Sequence, residues 1–565
     1  MRLAGVSPFP PVFAARYRER GYWEDRSLID HYLSAFERWP DRVAVIDDDE
    51  ILSYAELAQR AELTARNLLD LGLRPLDRVV VQLPNTALFA SFYLALQHIG
   101  AIPIMALPSH RFREVEQFVR LSGAVALATP STARDTDFRS IFRRVQADQP
   151  SLRLHVVQGA DRDTSGATST EGDAAEPGLV RLEDLHTRMP RSDDRALAAV
   201  RAGIDPEDPA VFQLSGGTTG IPKLIPRSHN DYAFNSYLAA SICDIHDGDV
   251  LLDVLPISHN LPLACPGMQG FLFSGATVAM STSTRSGTMF HRIARDHVTH
   301  IHVVPALLIK LVNDPAAGDH DLTSMRVIQS GGQRLQPETR MRAEKVFPAA
   351  TVQENFGMAE GLIMFVRLDD PAEVRLETVG RPICADDEVR LVDEVGTDVP
   401  DGEVDELWTR GPYTLRGYYN SPEHNTRAFS PDGFYMSGDL LWQHPTGNYV
   451  VAGRKKDLIN RGGEKISAEE IENLILAHPA VLNVACIPVD DDVLGEKMCA
   501  CVILRPGQTL TLPELAAHLQ RAEVAKHKWP EYLQVLDAFP LSPIGKVSKK
   551  DLVAELRDLA HRRTE

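Results

Sequence analysis

Residues 78–105 read RVVVQLPNTALFASFYLALQHIGAIPIM. Positions 78–83 form a short β-branched run, suited to a strand buried on both faces. Positions 87–99 are apolar at helical spacing and are closed by Gly100, and 101–105 is strand-like again. Upstream, residues 54–73 carry Leu57, Ala61, Leu68 and Leu69 at helical spacing. Helix, strand, helix and strand in succession specify an α/β architecture. The strand pattern resumes at Ala210 with Val211, Phe212 and Leu214, and residues 403–451 are β-rich, with turns at Pro412, Pro431-Asp432-Gly433 and Thr446-Gly447-Asn448.

Past Arg454-Lys455-Lys456-Asp457 the composition changes to a smaller αβ unit. It has a helix over 468–477 and strands over 481–488 and 498–504. The chain has 565 residues, more than one core ordinarily organises. The expected division is a large domain over 1–456 and a small α+β domain over 457–565. Residues 159–178, GADRDTSGATSTEGDAAEPG, offer almost nothing to bury and are expected to form a mobile surface loop.

The formal net charge is −19, which disfavours phosphate backbones and anionic lipid, so neither nucleic acid nor membrane is an expected partner. The six cysteines are scattered without a Cys-x-x-Cys pair, as in a reduced protein. The N-terminus lacks the charged and apolar regions of a signal peptide, and no apolar run reaches spanning length. A soluble, cytoplasmic protein is expected.

The sharpest local signal is Leu214-Ser215-Gly216-Gly217-Thr218-Thr219-Gly220-Ile221-Pro222-Lys223. Its glycines let backbone N–H groups turn inward, Ser215, Thr218 and Thr219 add hydroxyls, and Lys223 adds charge, all of which suits a polyphosphate. It is not a Walker A loop, because neither Gly216 nor Gly217 is followed at the required distance by Gly-Lys. It is not a nucleophile elbow, because Gln213 stands where glycine is needed.

This loop resembles the signature loop of the adenylate-forming superfamily, which comprises acyl-CoA synthetases, peptide-synthetase adenylation domains and luciferases. Further segments resemble that family's motifs in the same order: Asn355-Phe356-Gly357-Met358-Ala359-Glu360-Gly361, Ser437-Gly438-Asp439, Gly453-Arg454-Lys455-Lys456-Asp457 and Pro543-Ile544-Gly545-Lys546. The resemblance implies attack of a carboxylate on the α-phosphorus of ATP. It implies a small, mobile C-terminal lid domain that carries the catalytic lysine, Lys546. ATP would be held by Ser215, Gly216, Gly217, Thr218, Thr219, Gly220, Gly331, Gly332, Gln333, Asn355, Phe356 and Gly357. Asp439 would take both ribose hydroxyls and Arg454 would touch the ribose. Phe356 would stack on adenine. Glu360 and Thr219 would stand by Mg²⁺, and Lys223 and His259 would join Lys546 in catalysis.

The N-terminal arm Phe13-Ala14-Ala15-Arg16-Tyr17-Arg18-Glu19-Arg20-Gly21-Tyr22-Trp23, the run from Lys223 to Tyr232 and Arg461-Gly462-Gly463-Glu464-Lys465-Ile466 resemble aryl-acid AMP ligases of siderophore assembly. That resemblance implies an aromatic acid such as salicylate or 2,3-dihydroxybenzoate. It places Asn260, Leu261, Cys265, Gly332 and Ile363 around the acid, with Asn260 on the ortho-hydroxyl and carboxylate. Cys265 stands where dihydroxybenzoate enzymes commonly have serine and salicylate enzymes cysteine. A thiol is a weak hydrogen-bond partner, which favours salicylate. Leu261, Ser330 and Met364 depart from the family's usual aromatic, valine and asparagine. The acceptor implied is a phosphopantetheinyl carrier protein, with coenzyme A, as in a degradative aryl-CoA ligase, as the alternative. A non-catalytic nucleotide binder is the reading from another class, and Lys546, Asp439 and Glu360 speak against it. His297, His300 and His302 match no zinc spacing and are expected at a helix-to-strand edge.

Overall fold

Val79 and Val81 face one buried cluster and Val80 another, which is why the strand Arg78–Val81 is apolar almost throughout. The computed structural model describes residues 3–133, 136–159, 178–215, 222–332, 334–335, 337–461, 464–491, 493–522, 524–541 and 547–562. Arg78–Val81 lies within a seven-stranded sheet, in the order Leu224–Ser228, Pro209–Leu214, Ile102–Met105, Arg78–Val81, Ala126–Pro130, Leu154–Gln158, Leu179–Arg181. All neighbours in it are parallel except the first two, which form an antiparallel hairpin.

A nine-stranded sheet runs Arg381–Pro382, Gly361–Phe365, Thr351–Met358, Val327–Gly331, His300–Val303, Val250–Asp253, Thr277–Met280, Val43–Ile46, Ile51–Ser53. Its interior is parallel and its edges antiparallel. One buried cluster joins Val79 and Val81 of the first sheet, Leu251 and Val278 of the second, and the helices Leu28–Arg38, Tyr54–Asp70 and Ala87–Ile99. These helices therefore fill the space between the sheets. Ala87–Ile99 is buried on nearly every side, as its uniformly apolar sequence requires. Thr86 Oγ1 caps its start by accepting from Phe89 N, and Gly100, at φ +64°, ends it in the left-handed conformation.

The strands Glu388–Val392, Asp405–Arg410, Tyr435–Gln443 and Tyr449–Arg454 make a third, antiparallel sheet. The fourth holds Glu464–Ser467, Leu458–Arg461, Gly495–Leu504, Val481–Asp491 and Tyr532–Val535. It has its own core, with Ile459, Ile471, Val484, Val502 and Leu515. Arg505 Nη2 reaches Glu338 Oε2 at 2.9 Å across a groove of about 410 Å³ between this unit and the helix Pro337–Val346.

The elements read from sequence are present, with shifted ends. The helix expected over 54–73 stops at Asp70, because Gly72 takes φ +88°. The strand expected over 78–83 ends at Val81, ahead of Pro84. The strands expected over 481–488 and 498–504 extend to Val481–Asp491 and Gly495–Leu504. A hairpin ladder continues through charged residues such as Asp490 and Glu496 because backbone pairing needs no apolar side chain. His297 closes a helix at φ +51°, and His300 and His302 lie buried on the next strand. Burial lowers their pKa values to about 4 and about 3, so they are neutral imidazoles in a core. No group of three metal-ligating side chains occurs among the described residues. Of the expected loop over 159–178, positions 160–177 lie outside the described residues. The six cysteines are all free and buried. Among the described residues, no helix is long and apolar enough to cross a membrane.

One buried ion pair is tied to the segment that follows the strand Val327–Gly331. Glu354 Oε2 accepts from Arg340 Nη2 at 2.7 Å, with both side chains 2% exposed, while Oε1 accepts from Leu335 N at 2.9 Å. Burial pushes the Glu354 carboxyl up to about 7 even with Arg340 beside it. Removing one partner leaves the other charge stranded. Glu354→Ala should therefore cost about 3–5 kcal/mol of unfolding free energy in urea titration; a loss below about 1 kcal/mol would show that the pair is not an anchor.

Candidate active site

The strands Pro209–Leu214 and Leu224–Ser228 fix the two ends of the glycine-rich loop. Ser215 N donates to Lys223 O and Lys223 N donates to Ser215 Oγ, both at 3.0 Å, so the base of the loop is pinned. Gly216, Gly217, Thr218, Thr219 and Gly220, together with Gln333 and Lys546, lie outside the described residues. Lys223 Nζ stands 5.6 Å from the ring centre of Tyr418. The Tyr418 hydroxyl donates to Glu360 Oε1 at 2.8 Å and lies 3.0 Å from the Tyr435 hydroxyl. Lys223 and Glu360 are thus both brought to one tyrosine, the first by its ring and the second by its hydroxyl. Burial raises the pKa of the Glu360 carboxyl, and the Tyr418 hydrogen bond and Arg454 work against that rise.

Gly331 ends the strand Val327–Gly331 alongside Asn355 on the neighbouring strand. A Cβ at Gly331 would stand 2.1 Å from Asn355 Oδ1, so a larger residue would displace the Asn355 side chain. Asn355 Nδ2 is buried without a hydrogen-bond partner and remains as a donor for a bound group. Phe356 is half-buried against a cluster containing Leu362 and Met364, and Gly357 is exposed.

Asp439 and Arg454 are directly opposed on adjacent strands, and Arg454 Nε meets Asp439 Oδ1 at 2.6 Å. Asp439 is 2% exposed. Burial works against the charge of Arg454, and Asp439 and Asp457 outweigh it, so its pKa is raised. Both residues act electrostatically on Glu360.

His259 is the N-cap residue of the short helix Asn260–Ala264. Asn260 Nδ2 donates to Cys265 Sγ at 3.1 Å, and Asn235 Nδ2 donates to the same sulfur at 3.2 Å. Burial pushes the Cys265 thiol up to about 11. The residue is therefore a neutral thiol that accepts from two amides. Ile363 belongs to the same buried cluster, and Leu261 packs on its edge.

Sequence reasoning missed the residues that join these parts. Arg227 Nη1 donates to Ala359 O at 3.2 Å, and its guanidinium lies 4.7 Å from the ring centre of Tyr232. The Tyr232 hydroxyl donates to Asn260 Oδ1 at 2.9 Å. Arg227 therefore spans the Glu360 segment and the Asn260 pocket. A signal was present: the helix His229–Ile242 carries Tyr232, Asn235 and Ser236, polar at helical spacing on a face that turns out to be buried.

Comparison with known proteins gives concordant matches. Residues 33–419 match the family model described as AMP-binding enzyme, and residues 470–546 match the AMP-binding enzyme C-terminal domain. A Streptomyces protein named salicylyl-CoA synthase / salicylate adenylyltransferase is 44% identical over 98% of each chain. The salicyl-AMP ligase / salicyl-S-ArCP synthetase of Mycobacterium tuberculosis is 42% identical over 98% of this chain and 95% of its own. The apo structure of Mycobacterium smegmatis MbtA is 40% identical, superposes with a TM-score of 0.72, and covers 98% of this chain and 99% of its own.

Asp439 is the residue on which a nucleotide reading stands or falls. Asp439→Ala should raise the KM for ATP by about 10–100-fold, since a charged hydrogen bond is worth about 1.5–3 kcal/mol. Steady-state kinetics that leave the ATP KM within about twofold would reduce Asp439 to the ion-pair partner of Arg454.

Proposed function

This chain belongs to the AMP-binding enzyme family, and from that premise we infer that it activates an aromatic carboxylic acid, salicylate foremost, with ATP. A carboxylate oxygen bonds to the α-phosphorus, the bond to the β-phosphate breaks, and aryl-AMP and pyrophosphate result. The acyl group then passes to a pantetheine thiol of a carrier protein, with AMP leaving. The observation that carries the reading is the buried Cys265 thiol held between the amides of Asn260 and Asn235. A site beside that thiol would offer a flat ring apolar contact from Leu261 and Ile363, which belong to or pack on the same buried cluster, and polar contact from the amides.

Both reactants are anions, so the site's task is to neutralise and position. Lys223 at the loop base and Arg454 beside Asp439 supply positive charge where phosphates would lie. Asp439 would accept from the ribose hydroxyls, and the buried Asn355 amide would meet the adenine. Lys546 would hold the acid's carboxylate against the transferred phosphate as a compact cation. The buried Glu360 carboxylate is an oxygen donor of the kind a hard divalent cation takes, so Glu360, with Thr219, would hold Mg²⁺. When bound there, Mg²⁺ would draw charge from the phosphate oxygens. Coenzyme A as acceptor is the second reading, favoured by the printed name of the Streptomyces relative.

We place the hinge at Asp457, in the short turn Lys455–Asp457 between the third and fourth sheets. Rotation there would bring Lys546 in for adenylation and withdraw it for thioester formation. Lys546→Ala should cripple acyl-AMP formation yet spare thioester formation from supplied acyl-AMP. Asp457→Pro should do the reverse, because proline fixes φ near −65°. Single-turnover assays of each half-reaction check this, and equal losses in both assays for both variants would contradict it.

The acid itself is tested by ATP–pyrophosphate exchange. Salicylate should exceed 2,3-dihydroxybenzoate by about 10–100-fold in kcat/KM, and Cys265→Ser should narrow that ratio. A wild-type preference for dihydroxybenzoate would overturn the pocket assignment.

A further inference from the structure

A line of hydrogen bonds runs from the phosphate-loop strand to the acid pocket. Gln213 Nε2 donates to the Tyr232 hydroxyl at 3.0 Å, and that hydroxyl donates to Asn260 Oδ1 at 2.9 Å. Asn260 Nδ2 then donates to Cys265 Sγ at 3.1 Å. Gln213 is 2% exposed, Tyr232 fully buried and Asn260 6% exposed, so water does not compete for these groups. The Arg227 guanidinium over the Tyr232 ring holds the ring in place.

The direction of donation decides which side of the Asn260 amide faces the ligand. A hydroxyl that accepts from Gln213 passes its own proton onward, so the group it meets on Asn260 is the oxygen. Asn235 Nδ2 also donates to Ala264 O at 2.8 Å, which fixes that amide and leaves its Oδ1, 3.5 Å from Cys265 Sγ, to take the thiol proton, so the sulfur meets Asn260 as an acceptor and takes its N–H. With Oδ1 turned toward the Tyr232 hydroxyl and one N–H toward Cys265, the second N–H is the donor that Asn260 keeps for a ligand.

We propose that Tyr232 is a positioning residue that fixes the Asn260 amide as a donor, so that the site selects an ortho substituent that accepts a hydrogen bond over one that donates. This rests on the reading of the pocket as an aryl-acid site. Salicylate meets the requirement: its hydroxyl proton bonds its own carboxylate and leaves the phenol oxygen as an acceptor. The amino group of anthranilate does not, because its nitrogen lone pair is delocalised into the ring and its second N–H would oppose the N–H of Asn260.

The test is Tyr232→Phe, which keeps the ring and its stacking with Arg227 and removes only the hydroxyl. Exchange kinetics with salicylate and with anthranilate give the discrimination ratio, with the ATP KM as control. The wild type should prefer salicylate. The variant should lose that preference by about tenfold, with the ATP KM unchanged within about twofold. If Tyr232→Phe does not fold, Gln213→Leu frees the same hydroxyl to turn and should narrow the ratio in the same direction. A ratio unchanged in the variant, an equal loss for both acids, or a wild type that prefers anthranilate overturns the proposal while leaving aryl-acid activation standing. Exchange with neither acid overturns both.

Discussion

The Arg227 guanidinium is fully buried and pairs through Nε with Asp231 Oδ1 at 2.8 Å, four residues along. Burial works against its charge, and Asp231 outweighs that, so the group stays a cation inside the protein. A buried cation is costly unless it is paired, and this one has a carboxylate on Nε, a carbonyl on Nη1 and a tyrosine ring against its face. Asp231 Oδ2 also accepts from Ser228 N at 2.7 Å at the start of the helix His229–Ile242, so the pair fixes the corner between strand and helix. From that corner Nη1 reaches Ala359 O, beside Glu360, and the guanidinium face covers Tyr232, beside Asn260. The Glu360 and Asn260 segments come from distant parts of the sequence, and this one side chain bonds beside the first and covers the tyrosine that bonds the second.

That constraint explains how a chain with a net charge of −19 can bring two further anions together. The long-range field is wrong for the task, but at physiological ionic strength it is screened beyond about 8 Å. What matters is the local set: Arg227 beneath the pocket, Lys223 over Tyr418, and Arg454 against Asp439. Each is partnered by a tyrosine ring or a carboxylate, so each is oriented before any ligand arrives. Preorganised charge of this kind does not have to reorganise during reaction.

Much of the fold was legible in the sequence because its strands are buried on both faces and its helices are capped. Arg78–Val81 and Ala87–Ile99 declare themselves by composition and by Gly100 alone. Ends were harder: the hairpin Val481–Asp491 and Gly495–Leu504 outruns its apolar stretch, since ladder bonds hold charged residues as readily as apolar ones. In the candidate site, single residues such as Asp439 and Glu360 were named from their motifs, not from any physical mark of their own. The relay Gln213–Tyr232–Asn260–Cys265 could not be read, because each link joins residues separated in sequence and only the fold supplies the geometry. Asn235 was missed for the same reason, and its amide gives the Cys265 sulfur a second donor.

A complex with a non-hydrolysable mimic of salicyl-AMP tests the joined site most directly, because one molecule must satisfy every part at once. The crystal structure of that complex should show the ring against Asn260 and Cys265, the ribose hydroxyls on Asp439 and the adenine beside Asn355 and Gly331. A ring seated elsewhere, or a ribose that does not touch Asp439, would contradict the assignment of these residues to a single adenylating site.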